Sequence, residues 1–183
     1  MPGVKVVQRW AFYFCEALED VECDKLEIIR CGAFFECKSL RSIILSSVKI
    51  VEGSAFYECT ALTYVEFGKE LERIGELAFY RCTSLERITI PLKEGIITRN
   101  DTFQGCESLK QVNLIEGEVH ETIAYLQLEE WKNDMNEEIN SINEILSNTP
   151  AGDDFIVGEK ALAIRMWIRS VLRKIIHYKA EHK

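Results

Sequence analysis

The sequence predicts an α/β solenoid of about five stacked rungs over residues 1–114, followed by an antiparallel pair of helices over 115–183. Three observations lead there. One phrase recurs five times at a nearly fixed period, paired apolar columns flank each copy, and the period gives way to helical spacing after Leu114.

The copies read Ala11-Phe12-Tyr13-Phe14-Cys15-Glu16-Ala17-Leu18, Ala33-Phe34-Phe35-Glu36-Cys37-Lys38-Ser39-Leu40, Ala55-Phe56-Tyr57-Glu58-Cys59-Thr60-Ala61-Leu62, Ala78-Phe79-Tyr80-Arg81-Cys82-Thr83-Ser84-Leu85 and Thr102-Phe103-Gln104-Gly105-Cys106-Glu107-Ser108-Leu109. Their cysteines step by 22, 22, 23 and 24 residues. A period of that length marks supersecondary units too small to bury their own apolar faces, which become stable by stacking. Aligned on the cysteines, Val21, Ile43, Val65, Ile88 and Val112 form a column. Cys23, Leu45, Phe67, Ile90 and Leu114 follow two residues later. Two apolar residues with one between them is the spacing of a short strand with both side chains turned inward. Upstream, Val4/Val7, Leu26/Ile29, Val48/Val51 and Leu71/Ile74 repeat at a spacing of three. The phenylalanine column Phe12, Phe34, Phe56, Phe79 and Phe103 is the expected spine, each buried ring contributing about 1.5–3 kcal/mol.

This phrase resembles the BspA-type leucine-rich repeat, whose rungs read Ala-Phe-x-x-Cys-x-x-Leu-x-x-Ile-x-Ile-Pro; Pro91 after Ile90 stands at the family's proline. The resemblance covers about residues 4–114 and implies a right-handed solenoid with a parallel sheet. The fifth copy is expected to be irregular: Thr102 replaces Ala, Thr98 replaces an aliphatic residue, and Pro91-Leu92-Lys93-Glu94-Gly95 lengthens the loop.

In the tail, Val119, Ile123, Leu126, Trp131, Met135, Ile139, Ile142 and Leu146 give one apolar helical face over about 118–147. Glu121, Glu129, Glu130, Asp134, Glu137, Glu138 and Glu144 make its other face acidic. After the break at Asn148-Thr149-Pro150-Ala151-Gly152-Asp153-Asp154, a second helix is expected over about 158–179. Its apolar stripe is Ile164, Ile168, Val171, Ile175 and Tyr178, and its basic stripe is Arg165, Arg169 and Arg173, followed by His177. Complementary faces point to a hairpin docked on the open last rung, with charge choosing its orientation. The segments 131–139 and 168–182 are similar to the tails of BspA-type repeat proteins numerous in diatoms. Such tails run on further, so the resemblance implies either a fragment or a short member.

The net charge of −8 disfavours nucleic acid as a partner. It is the sum of −3 over 1–114, −10 over 115–154 and +5 over 155–183. No signal peptide or membrane span is read, so a cytoplasmic or other intracellular location is expected. Seven cysteines are then read as free thiols, and the sequon Asn100-Asp101-Thr102 has no meaning there. The cysteine column is read as small buried hydrophobes rather than a metal or redox site, since Cys-x-x-Cys is absent and no histidine precedes His120. Cys31, in a connecting turn, is expected to be the most reactive thiol.

No phosphate loop, metal-binding histidine pair or nucleophile elbow occurs, and His120, His177 and His182 all lie in the tail. The chain is therefore read as a non-enzymatic interaction module, without cofactor, presenting an extended surface to a protein partner. The expected surface is two outward columns: Asp20, Ser42, Tyr64, Arg87 and Gln111, and Glu22, Ile44, Glu66, Thr89 and Asn113. An exposed Tyr64 beside Ile44 and Arg87 has the composition of a contact hot spot. Two alternatives stand beside it: self-assembly through the uncapped first rung, and binding of an anionic membrane or a partner through the basic helix.

Overall fold

The computed structural model describes residues 1, 3–115, 129–150 and 158–181. Expectations that fall on 116–128, 151–157 and 182–183, among them Val119, Glu121, Ile123, Leu126 and His182, lie outside the described residues. Among the described residues there are eight short strands: β1 (Val6–Val7), β2 (Ile28–Ile29), β3 (Ser42–Leu45), β4 (Ile50–Val51), β5 (Tyr64–Phe67), β6 (Arg73–Ile74), β7 (Arg87–Ile90) and β8 (Gln111–Leu114). They form two parallel sheets, ordered β1-β2-β4-β6 and β3-β5-β7-β8, in which neighbours come from successive rungs. The second sheet has the alternation expected of it. Ile43 and Leu45 pair with Val65 and Phe67 inside, while Ser42 and Ile44 pair with Tyr64 and Glu66 outside. The first sheet arises from the upstream apolar pairs, whose strands are too short to show alternation.

The turn between the sheets is itself laddered. The N–H groups of Phe12, Phe34, Phe56 and Phe79 donate forward to the carbonyls of Ala33, Ala55, Ala78 and Thr102 in the next rung, at 2.8–3.0 Å. The rings of these residues stack in series. Phe12–Phe34, Phe34–Phe56 and Phe56–Phe79 are 5.1, 5.2 and 5.2 Å apart and within 4° of parallel. Cysteine occupies its column because its thiol has a partner there. The Sγ of Cys37, Cys59, Cys82 and Cys106 reaches back one rung to the carbonyls of Phe12, Phe34, Phe56 and Phe79 at 3.0–3.1 Å. A buried carbonyl with a free lone pair is disfavoured, and the thiol meets that need with a small side chain that is readily buried.

The first four rungs each turn through two left-handed residues, and the fifth through one. One column is Trp10, Gly32, Ser54 and Leu77; the other is Phe14, Glu36, Glu58, Arg81 and Gly105. Glycine adopts this conformation freely, whereas a side chain opposes it by about 1–2 kcal/mol. The stacked hydrogen bonds therefore hold seven side-chain-bearing residues in a disfavoured geometry.

The fifth rung is irregular, as expected. A 3-10 turn (Asn100–Phe103) replaces the usual bend, and the first sheet continues only as a bridge between Ile74 and Ile97. The longer loop shifts the chain by one residue, so Ile97 fills the aliphatic position that alignment gave to Thr98, and Thr98 is exposed.

Two helices close this end: α1 (Glu129–Asn148) and α2 (Glu159–Glu181). Buried Met135, Ile142 and Leu146 seat α1 against β8, and the Asn143 side chain accepts the Val112 N–H at 2.9 Å. The apolar stripe of α2 (Ala161, Ile164, Ile168, Val171 and Ile175) is buried as well. At its start Lys160 is buried and donates to the carbonyls of Cys106, Glu107 and Leu109 at 3.1, 3.2 and 2.7 Å. Gly158 permits that approach, since a Cβ there would sit 1.5 Å from the Asn100 carbonyl oxygen. Asn143 of α1 and Lys160 of α2 both sit near the start of β8, on Val112 and Leu109, while Glu138, earlier in α1, meets Trp167 and Lys174 further along α2, so the helices run antiparallel.

Candidate functional site

The two outward columns come together as one open face on the second sheet. Register pairs Ser42 with Tyr64, Tyr64 with Arg87 and Arg87 with Gln111; the next column pairs Ile44, Glu66, Thr89 and Asn113. Neighbouring strands set these side chains about 4.8 Å apart, within reach of a single extended ligand. Asp20 and Glu22 lie one rung earlier, exposed and outside any strand.

The face divides into two chemistries. Toward the first rung, Asp20, Glu22 and Asp24 border a hollow shared with Ser42, Ser46 and Ile44. None of the three carboxylates makes an ion pair among the described residues, and Ile44 is 56% exposed. Further along, Tyr64, Glu66, Thr89 and Asn113 line a second hollow, closed at its edge by Ile139 of α1. Here the side chains are held in place. The Arg87 guanidinium lies 4.6 Å from the centre of the Tyr64 ring, and the Tyr64 hydroxyl donates to Glu66 and lies 3.3 Å from the Thr89 hydroxyl. Burial, and then the Glu66 carboxylate, keep the Tyr64 phenol above its ordinary pKa. Tyr64 is thus half-buried rather than exposed, because Arg87 covers the ring across the strands, and Thr89, beside the Tyr64 hydroxyl, is buried. A pre-positioned aromatic and cationic pair beside an acidic and apolar hollow suits a ligand with both apolar and charged groups.

The basic stripe behaves differently from its expected pairing with the acidic helix. Arg165 donates to the Asn100 side chain and Arg169 pairs with Glu94 at 2.9 Å, both on the irregular fifth rung. Arg173 is exposed, and among the described residues the ion pair between the helices is Lys174 with Glu138. Orientation is set by apolar packing and by Lys160, with little cross-helix charge. The apolar stripe that a membrane-bound helix would need is occupied by the solenoid.

Sequence reasoning missed an exposed aromatic cluster on the first rung. Trp10 and Tyr13 are 48% and 50% exposed, and Phe14 is exposed beside them. Tyr13 contacts Trp10 edge-on at 5.4 Å and Phe14 at 4.5 Å. The signal was available, since Phe14 stands where later copies carry Glu36, Glu58, Arg81 and Gly105.

The cysteines offer little to a reactant. All seven are free; Cys23, Cys37, Cys59, Cys82 and Cys106 are buried. Desolvation pushes the Cys37 and Cys106 thiols up to about 12 and raises Cys59 and Cys82 as well. Cys31 is only half-exposed, and Cys15 is the more accessible thiol. Among the described residues no group of three or more His, Cys, Asp or Glu could hold a metal ion, and no helix is long and apolar enough to cross a membrane.

Comparison with known proteins finds the same type of repeat, counted as six copies where five rungs are described here. The family model for the BspA type leucine rich repeat region matches residues 5–126 in six copies. Its match ends ahead of both helices. The chain is similar to a leucine-rich repeat protein from Bacteroides ovatus ATCC 8483, with 28% identity and a TM-score of 0.51 over 62% of this chain and 29% of that one. A T. pallidum leucine rich repeat protein matches with 23% identity and a TM-score of 0.45, over 62% of this chain and 65% of its own. The chain thus spans less than two thirds of the length of either. No curated protein matches it. With two thirds of its length matched in registered copies, the chain belongs to the BspA-type leucine-rich repeat family.

Proposed function

We propose that the chain is a non-enzymatic protein-interaction module. Residues 1–114 form the binding unit, and 115–183 form a helical tail that closes its end. The binding face is Asp20, Glu22, Ser42, Ile44, Tyr64, Glu66, Arg87, Thr89, Gln111 and Asn113. The observation that carries this reading is the open face of the second sheet, where an exposed Ile44 and carboxylates without an ion pair among the described residues adjoin a Tyr64–Arg87 pair already held in place. Arranged side chains lose less freedom on binding, and stacked repeats generally meet other proteins through such surfaces. The partner is read as a protein, since a basic face for phosphates is absent here.

Paired affinity capture tests this. Wild type and an Ile44→Asp/Arg87→Glu variant are compared in the same extract, after confirming equal melting temperatures. The reading requires a stoichiometric partner retained by wild type and lost by the variant. Equal retention by both would remove the face from the account.

A second reading is self-assembly through the first rung, favoured by the exposed Trp10, Tyr13 and Phe14 there. Because α1 and α2 cover the other end, such contact would join molecules in pairs rather than in continuous stacks. Light scattering over a concentration series, with Phe14→Asp alongside, separates it from the first reading.

A further inference from the structure

The outward side of the helical pair carries two exposed stripes, in whose charged side chains the one ion pair among the described residues is that of Arg169 with Glu94. On α2, Leu162, Met166, Arg169, Arg173 and Ile176 follow at steps of four and three, which places them on one side of the helix. That side lies opposite the buried stripe of Ile164, Ile168, Val171 and Ile175, and it is exposed; Met166 and Ile176 are 64% and 66% accessible. On α1, Asp134, Glu137, Ser141, Glu144 and Asn148 step the same way, all exposed and turned away from buried Met135, Ile142 and Leu146. Exposed Ile145 flanks this acidic stripe. Asp134, Glu137, Glu144 and Arg173 make no ion pair among the described residues. The tail therefore presents an acidic row and an apolar-basic row side by side on one outer surface.

We propose that this surface pairs with the same surface of a second copy, joining two caps into an antiparallel four-helix bundle. An isologous contact must be self-complementary, and only one two-fold arrangement of two antiparallel helices is so here. An axis parallel to the helices lays α1 of one copy on α2 of the other. The alternative axis lays acidic row on acidic row and arginine on arginine, which like-charge repulsion forbids. The parallel axis also keeps each residue at its own height along the bundle. Heights within a copy are set by Glu138, which meets both Trp167 and Lys174. Glu137 of one copy then falls between Arg169 and Arg173 of the other, and Ile145 falls between Leu162 and Met166. Charges meet opposite charges and apolar groups meet apolar groups, and within the monomer the contact asks only that Arg169 share its charge between Glu94 and the partner's Glu137. A second copy is favoured over a lipid surface because the acidic row, beside the arginines, would face the same anionic headgroups.

Sedimentation velocity on the full chain, at up to about 100 μM to reach micromolar dissociation constants, tests the proposal. Wild type is expected to associate reversibly into dimers, more weakly as salt rises. Arg169→Glu/Arg173→Glu and Glu137→Lys/Glu144→Lys should each weaken association at least about tenfold, and an equimolar mixture of the two should restore a one-to-one dimer. Arg173→Glu alone guards against a folding artefact, since its side chain makes no ion pair among the described residues. Phe14→Asp should leave this dimer intact, which separates it from contact through the first rung. A wild type that stays monomeric overturns the proposal, as does a mixture that fails to associate or a dimer abolished by Phe14→Asp. A monomer that instead floats with anionic phosphatidylserine vesicles, and loses them on Arg169→Glu/Arg173→Glu, would also overturn it and give the face to a membrane.

Discussion

Truncating the phenylalanine column at its centre and at its end should give different losses, because stacking is what the column is for. Phe56 is fully buried, with Phe34 and Phe79 each 5.2 Å away on its two faces. Removing its ring to alanine loses the transfer energy and leaves a cavity, about 3–5 kcal/mol, and the two ring contacts at about 0.5–1.5 kcal/mol each place it near 5 kcal/mol. Phe12 has the same chemistry, is only half-buried, and stacks on Phe34 alone at 5.1 Å. Its truncation should cost about half as much. For a chain of this size each kcal/mol moves the melting temperature by about 2–4 °C, so Phe56→Ala should lose about 10–20 °C and Phe12→Ala about 5–10 °C. Urea titrations followed by far-UV circular dichroism give the same comparison at constant temperature, and an unchanged slope would show that cooperativity survives. Equal losses at the two positions, or a loss at Phe56 under about 2 kcal/mol, would mean that the rungs do not stack in this register.

Alkaline pH should destabilise the protein steeply. Burial holds the thiols of Cys37, Cys59, Cys82 and Cys106 above their ordinary value of 9.0, so the unfolded chain releases these protons first. Above that value the folded state binds more protons, and stability falls by about 1.4 kcal/mol per thiol per pH unit, or about 5 for the four. A urea midpoint unchanged well above pH 9.0 would refute the burial of the column. Native protein should expose two thiols, Cys15 and Cys31, to a maleimide and the remaining five only on unfolding, as read by mass spectrometry. Ser54→Gly should stabilise by about 0.5–1 kcal/mol, because φ at Ser54 is 55°, where glycine is unopposed; an unchanged denaturation midpoint would contradict the strain assigned there.

The repeat period places every rung, since the five cysteines and five phenylalanines can be aligned only one way. What the period could not convey depends on neighbours across rungs. The left-handed turns at Trp10, Ser54 and Leu77 carry no glycine to announce them; the stacked hydrogen bonds enforce them instead. Ile97 displaces Thr98 because the loop from Pro91 to Gly95 shifts the chain, and alignment on the next cysteine hides that shift. On the candidate face, the outward alternation reads directly from sequence, yet the burial of Tyr64 depends on Arg87 reaching across from another strand. In the tail, helical spacing marks which faces are apolar, while charge alone misdirects. Arg165 and Arg169 find Asn100 and Glu94 on the fifth rung, and Lys160 satisfies three carbonyls that no local pattern reveals.

The central claim is that a protein partner lies across the second sheet. Hydroxyl-radical footprinting of the captured complex tests it most directly, because each exposed surface carries its own oxidisable residues. Ile44 and Tyr64 report on the strand face, Trp10, Tyr13 and Phe14 on the first rung, and Met166 and Ile176 on the cap. The account predicts that partner binding protects Ile44 and Tyr64 and leaves the first-rung aromatics as reactive as in the free chain. Protection confined to Trp10, Tyr13 and Phe14, with Ile44 and Tyr64 still oxidised, would contradict it.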